Sequence, residues 1–149
     1  MTIVKERLKE MEIFKNTVSA SDGKTGKTSM SGMSDTEVGP PAQYGGSSDW
    51  LNPEELLVAA VNSCLMIVFF HFAHKSQVDV LSYTSEAEGK VEKTKNGLRF
   101  TNVDVVAKVS LGSADSAQQI REITQLTEKF CLVSNSLACP VQYDVQVNG

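Results

Sequence analysis

The chain has 149 residues, 41% apolar and 21% charged, which suits a single domain over 1–149 with a hydrophobic core and excludes a disordered polymer. Its formal charge of −4 leaves no basic footprint for nucleic acid or an anionic membrane. Residues Met1 to Glu10 mix charges without a basic-then-apolar leader pattern, and the apolar run Leu65–Phe70 is too short to span a bilayer. A cytoplasmic protein with no membrane or nucleic-acid partner is therefore expected.

In chain order, an N-terminal helix carrying Arg7 comes first. Glu12 to Ser31 alternates loosely around "SDGKTGK", which predicts two strands and a turn. "EVGPPAQYGGSSDW", Glu37 to Trp50, is rich in Gly, Pro and Ser and reads as a loop that leads into a helix. Asn52 caps that helix, Pro53 fits its first position, and Glu55 completes a capping box. From Leu56 to Ala73 the helix is apolar on nearly every face, the pattern of a helix buried in a core. "DVLSYTSEAEGKVEK" and "LRFTNVDVVAKVSL" alternate as strands, and Asn96-Gly97 between them favours a tight hairpin turn. "SADSAQQIREITQLTEKF" places Ile120, Ile123, Leu126 and Phe130 at helical spacing, with Ser113 or Ser116 as caps. Val141 to Val147 closes the chain as a strand. Strands, a long buried helix, two strands, a helix and a strand make an α+β fold.

The chemistry-bearing residues are the three cysteines, Cys64, Cys131 and Cys139. An odd number in an intracellular chain argues against a disulfide framework. A reactive pair with one spare and three inert core thiols both fit the count. Cys64 sits in the middle of the apolar helix, where burial alone raises a thiol's pKa. A nucleophilic role therefore requires a cationic or hydrogen-bonding group to favour the thiolate. His71 and His74 share a helix face, but with Cys64 they leave a fourth metal ligand unidentified, so they read as core or helix-end histidines. Gly45 and Gly46 lack the lysine and hydroxyl pair of a phosphate loop.

Two segments carry a resemblance. "GGSSDWLNPEELLVAAVNSC" and "CLVSNSLACPVQYDVQV", in that order, resemble the OsmC/Ohr family, the osmotically inducible and organic hydroperoxide resistance proteins. The likeness covers most of the chain from Tyr44 onward. It implies the OsmC-like α+β fold in an intertwined homodimer with two sites at the interface. It also implies a cysteine-based peroxidase that reduces organic hydroperoxides, with Cys64 as peroxidatic thiol and Cys131 as resolving thiol. No resident cofactor or metal is expected, and an external small dithiol or lipoylated protein would act as reductant. Cys139 reads as a spare thiol, since the spacing to the last strand fits Cys131 to the family's Cys-Pro-x-Ser stretch.

Glu54 matches the family glutamate that orients a catalytic arginine, and as a helix-terminal carboxylate it stabilises the helix by about 0.3–1 kcal/mol. Ten residues of helix rise about 15 Å, so Glu54 would serve a cysteine of the partner subunit. The sequence departs from the family pattern in two places. Leu132 stands where proline is usual, although Ser134 keeps the serine position. No arginine matches the family's: Arg7 is the only one before residue 99, and Gln43 lies near one branch's position. Lys15, Lys24 or Lys27 would have to substitute without the rigid guanidinium fork. A second reading is a non-catalytic protein of this fold that binds an apolar ligand in the dimer cleft. Both readings expect a pocket lined by Leu, Met and Phe side chains of the apolar helix.

Overall fold

The computed structural model describes residues 11–30, 32–112 and 117–148. The expected N-terminal helix with Arg7, the end of the first strand pair at Ser31, and the candidate caps Ser113 and Ser116 lie outside the described residues. The chain divides into two compact units, Met1–Leu57 and Val58–Gly149.

The first unit holds an antiparallel sheet in the order β1 (Thr17–Ser19), β2 (Gly26–Ser29), β3 (Thr36–Val38). The β1–β2 turn is held by Asp22, whose Oδ1 accepts the N–H groups of Lys24 and Thr25 at 2.9 and 3.0 Å. β3 was not expected from the sequence. It is three residues long, too short to show a period of two, and it is defined by its register with β2, Gly26 against Val38. The segment that follows is ordered. Trp50 Nε1 donates to Pro40 O at 2.8 Å, Gly39 N–H to Leu51 O at 2.8 Å, and Leu51 N–H to Glu37 O at 3.2 Å. A single 3₁₀ turn, Ala42–Tyr44, folds between these anchors.

Helix α1 (Pro53–Lys75) has 23 residues. Asn52 caps it as expected, with Oδ1 accepting the Glu55 N–H at 2.7 Å. Glu54 and Glu55 lie in its first turn and His74 and Lys75 in its last, the polarity that suits the helix dipole.

The second unit is built on β4 (Val80–Thr94) and β5 (Gly97–Leu111), an antiparallel hairpin, with β6 (Val141–Asn148) parallel to β5. β5 has a clear period of two. Val103, Val105, Ala107 and Val109 are buried, and Asp104, Val106 and Lys108 are exposed. The hairpin turn centres on Lys95 and Asn96. Gly97 follows at φ +94°, a left-handed conformation that favours glycine. The glycine is thus needed one position later than in a two-residue Asn-Gly turn.

From residue 58 onward, α1 packs one face into this unit. Val61, Leu65, Val68, Phe69 and Phe72 are buried, following the i, i+4, i+7, i+8, i+11 spacing of one helical stripe. The Phe69 ring lies 5.4 Å from Tyr83 of β4, and the Phe72 ring 5.7 Å from Phe130. Gly89 of β4 permits this approach, since a Cβ there would collide with Val58 and the Phe100 ring. Helix α2 (Ala117–Phe130) buries Ile120, Ile123 and Thr127. Leu126, expected in the core, is 36% exposed because the buried stripe runs through Thr127 instead. A one-turn helix, α3 (Leu132–Asn135), follows a break at Cys131, whose ψ of 104° is extended.

Among the described residues of the single chain, α1 is not covered on all faces. An 18-residue window of α1 has mean hydropathy 2.2, and only 33% of it is buried. By length and composition this helix is apolar enough to cross a membrane, which the run Leu65–Phe70 alone is not. Ile67 and Phe70 are 54% and 39% exposed. They lie with Ala60, Ser63 and His74 on one exposed stripe opposite the buried one.

Two substitutions test this architecture in urea unfolding. Asn52→Ala removes the cap and should lower stability by about 1 kcal/mol. Phe69→Ala opens a cavity under β4 and should lower it by about 3–5 kcal/mol. A cost below about 1 kcal/mol for Phe69→Ala would contradict the described core.

Candidate functional site

The three thiols all belong to the second unit. Cys64 lies on α1 beside the buried stripe, three residues after Val61 and four before Val68, and is half-buried. Cys131 is fully buried at the break between α2 and α3. It continues the inward stripe of α2, four residues beyond Thr127, and its N–H still donates to Thr127 O at 2.9 Å. Two apolar stripes that face a common core therefore deliver two thiols to one place, and Cys64 hydrogen-bonds the Cys131 sulfur.

That hydrogen bond is the largest influence on Cys131. It lowers the thiol's pKa to about 6, against burial, which pushes the other way. The Ser134 hydroxyl and the N–H groups of Ser134 and Val133 lower it further. Cys131 is not a formal side-chain cap of α3. The N–H dipoles act on the sulfur by proximity, as expected for a large, soft acceptor. Leu132, in the place of the expected proline, opens α3 without disturbing the chain reversal, because the extended backbone of Cys131 ends α2. Ser134 Oγ also donates to Cys131 O at 3.2 Å, which fixes the turn around the thiol.

Cys139 lines a cavity of about 330 Å³ together with Leu65, Glu128, Ser134 and Tyr143. Its mixed polar wall differs from the expected lining of Leu, Met and Phe. The cavity forms where the α2–α3 turn meets β6, not along the apolar helix. Glu128, in its wall, has its carboxyl pKa raised by burial.

A tyrosine pair beside Cys131 was not expected from the sequence. Tyr83 of β4 and Tyr143 of β6 place their hydroxyls 2.7 Å apart. Burial is the main reason that both phenols are raised, and for Tyr143 the negative charge on Cys131 adds to it. Tyr143 therefore stays protonated beside the thiolate. Ser85, on the same strand as Tyr83, donates to Asn62 Oδ1 of α1 at 2.6 Å. The available signal was positional: Tyr143 occupies an inward register position in "VQYDVQV".

Glu54 lies in the first unit, in the first turn of α1. Its Oε2 is buried and has no hydrogen-bond partner among the described residues. Lys15, Lys24, Lys27 and Gln43 belong to the same unit and are exposed or nearly so. Of the other arginines, Arg121 is exposed on α2 and hydrogen-bonds Gln118, and Arg99 is exposed on β5. His71 is half-buried with its ring edge-on to Phe72, 5.2 Å away, and His74 is exposed at the helix end. Among the described residues no group of three or more His, Cys, Asp or Glu is placed to hold a metal ion.

This arrangement can be set beside known proteins. The OsmC-like protein family matches residues 46–146. The chain belongs to the OsmC-like family. An uncharacterized Bacillus subtilis protein, YmaD, is 23% identical over 117 residues, covering 76% of this chain and 77% of that one. An OsmC-like protein of unknown function from Vibrio cholerae superposes with a TM-score of 0.84 at 24% identity, covering 91% of this chain and 99% of that one. An organic hydroperoxide resistance protein from Elizabethkingia anophelis superposes with a TM-score of 0.75 at 20% identity, covering 95% and 99%. At these identities the OsmC-like α+β fold is shared, and activity has to be argued from the site.

The depressed Cys131 pKa makes stability depend on pH. The unfolded thiol has a pKa of about 8.5, and the folded one of about 6. The folded state thus prefers the thiolate, so the Cys131 contribution is full above the unfolded value. It declines as pH falls through this window and is lost below the folded value. Cys131→Ser should therefore destabilise the fold more at pH 9 than at pH 5. Urea midpoints of both proteins across this range are the measurement, and a difference independent of pH would refute the thiolate.

Proposed function

We propose that this protein is a thiol-dependent peroxidase that reduces organic hydroperoxides in oxidative stress defence. The observation that carries the reading is the hydrogen bond between half-buried Cys64 and fully buried Cys131, with a thiolate favoured within the pair. Cys64 is the more accessible sulfur and is assigned the attack. Its thiolate donates an electron pair to the outer peroxide oxygen. The S–O bond forms as the O–O bond breaks, and the alkoxide leaves and is protonated. Cys131 then attacks the sulfenic sulfur, forming the S–S bond and expelling hydroxide, which becomes water. This resolution protects Cys64 from irreversible overoxidation. An external small dithiol or lipoylated protein returns the disulfide to two thiols, with no resident cofactor required. A cytoplasmic setting fits a cycle that begins from free thiols.

The substrate's organic part follows from the apolar character of α1. Each buried methylene contributes roughly 0.8 kcal/mol, so cumene-type or fatty-acid hydroperoxides should be turned over faster than hydrogen peroxide. The same helix supports an intertwined homodimer. Its exposed stripe with Ile67 and Phe70 needs cover, and a second copy supplies an equally apolar face. Glu54, with its buried and unpartnered Oε2, would then serve the partner's thiol site.

Purified protein should consume cumene hydroperoxide with dihydrolipoamide as reductant, and Cys64→Ser should abolish the turnover. After one equivalent of peroxide, non-reducing peptide mapping should find a Cys64–Cys131 crosslink within one chain and Cys139 free. A Cys64–Cys139 crosslink would reassign the resolving thiol. Three thiols unchanged by peroxide would overturn the peroxidase and favour the apolar-ligand binder.

Sedimentation tests the assembly separately. The wild type should run as a dimer at micromolar concentration, and Ile67→Glu should shift it toward monomer. A stable wild-type monomer would contradict the assembly.

A further inference from the structure

We infer that Asn62 is a positioning residue: its hydrogen bond to Ser85 fixes the rotation of α1 about its own axis and so keeps Cys64 turned toward Cys131. The consequence for resolving the sulfenic acid rests on the peroxidase reading.

Apolar packing alone settles the seat of α1 poorly. Between Leu56 and Ala73 the helix carries apolar side chains on nearly every face. A roll of one residue, about 100°, therefore replaces one apolar side chain by another. The contact with β4 shows this degeneracy. The rings of Phe69 and Phe70 both lie 5.4 Å from Tyr83. At the far end Gly89 lies against Val58, an ordinary apolar contact. Between these two contacts sits a polar one. Ser85 Oγ donates to Asn62 Oδ1 at 2.6 Å, and both side chains are half-buried. Tyr83, Ser85 and Ala87 are the half-buried positions of this stretch of β4, the face that meets the helix. The neighbours of Asn62 on α1 do not replace it. Val61 has no polar group, and Ser63 turns its hydroxyl back to Ala59 O at 2.6 Å. A single asparagine in an otherwise apolar seam sets helix register in this way, at little gain or even some cost in stability.

Cys64 lies on the other edge of the buried stripe, about 200° around the helix from Asn62. Its side of α1 continues through Val68 to Phe72, whose ring is 5.7 Å from Phe130, the residue before Cys131. Leu65, next to Cys64, and Ser134, just after Cys131, line the same cavity. These contacts place the thiol edge of α1 against the α2–α3 turn. A helix pinned at one edge cannot roll without carrying the other edge with it. A roll of one residue would present Ser63 or Leu65 to Cys131 in place of Cys64. A disulfide requires Cα atoms within about 7 Å and correctly aimed Cβ bonds, so the pin matters most for the step that joins the two sulfurs.

Diamide crosslinks neighbouring thiols without peroxide: two thiols lose two electrons and two protons to the diazene, which becomes a hydrazine. Full-length wild type, Asn62→Leu, Ser85→Ala and Ser85→Thr are compared by the rate of Cys64–Cys131 crosslinking, mapped by non-reducing peptide analysis, with urea midpoints alongside. The wild type should crosslink this pair. Asn62→Leu and Ser85→Ala should slow the crosslink roughly five- to tenfold, the factor that one buried hydrogen bond of ordinary strength supplies. Ser85→Thr, which keeps the hydroxyl, should stay within twofold of wild type. Asn62→Leu should keep its urea midpoint, because an apolar side chain of similar size suits the seam. Loss of midpoint and rate together would mark a purely structural role. Rates within twofold of wild type in Asn62→Leu and Ser85→Ala would overturn the inference, as would a slowdown that Ser85→Thr shares. Should Asn62→Leu not fold, the two Ser85 variants decide alone. With cumene hydroperoxide, Asn62→Leu should accumulate Cys64 sulfinic acid where the wild type gives the disulfide. A wild type inert to peroxide would overturn the peroxidase, and the diamide rates would still decide the positioning role.

Discussion

Burying an apolar helix is the constraint on which the rest of this structure depends. α1 has to find cover for side chains on almost its whole circumference, and one sheet can cover only one side. The β4–β5–β6 sheet and α2 take the stripe from Val61 to Phe72. The stripe of Ile67 and Phe70 remains exposed in the single chain. Each of these partly exposed side chains forgoes part of the roughly 1.5–3 kcal/mol that full burial contributes. A second copy of the chain is the economical remedy, because the surface that needs cover is also a surface that can provide it. The dimer proposed above would thus answer a demand made by the helix that builds the core.

The same packing decides the chemistry. Helical stripes place residues three, four and seven apart on one face. Cys64 falls beside one stripe and Cys131 falls on another, so the thiols meet because the helices that carry them meet. The meeting would be unfavourable for two ordinary buried thiols that had to ionise. It becomes tolerable when one sulfur's negative charge is bound by the other's proton, by Ser134 and by nearby N–H dipoles.

The sequence was most legible where periodicity was long. β5, with its alternation over Val103 to Val109, and α1, with its Asn52 cap, follow directly from pattern and capping chemistry. Legibility failed where elements were short. β3 and α3 have three and four residues, and elements of that size are set by tertiary pairing or by a single extended residue such as Cys131. Leu126 shows a subtler failure. Apolar spacing alone favoured it, yet Thr127 occupies the buried position because its hydroxyl is satisfied by Ile123 O at 2.7 Å. At the site, the approach of Cys64 to Cys131 could only be expected through family resemblance, because sequence fixes which face a thiol occupies but not which faces meet. The Tyr83–Tyr143 hydroxyl pair depends on strands 60 residues apart in sequence and lay beyond any local pattern.

That tyrosine pair explains why a charge can persist in such a place. A thiolate in an apolar core is stable only if its surroundings respond to it without introducing competing charge. Tyr143 and Tyr83 share a hydrogen bond and both phenols are raised, so neither adds a second anion at physiological pH. Glu128 is displaced in the same direction by burial. The groups that stabilise the Cys131 sulfur are hydrogen-bonding ones, the Ser134 hydroxyl and the N–H groups of Val133 and Ser134. Neutral hydroxyls can turn toward that charge without adding another, and the register of β4 and β6 supplies them.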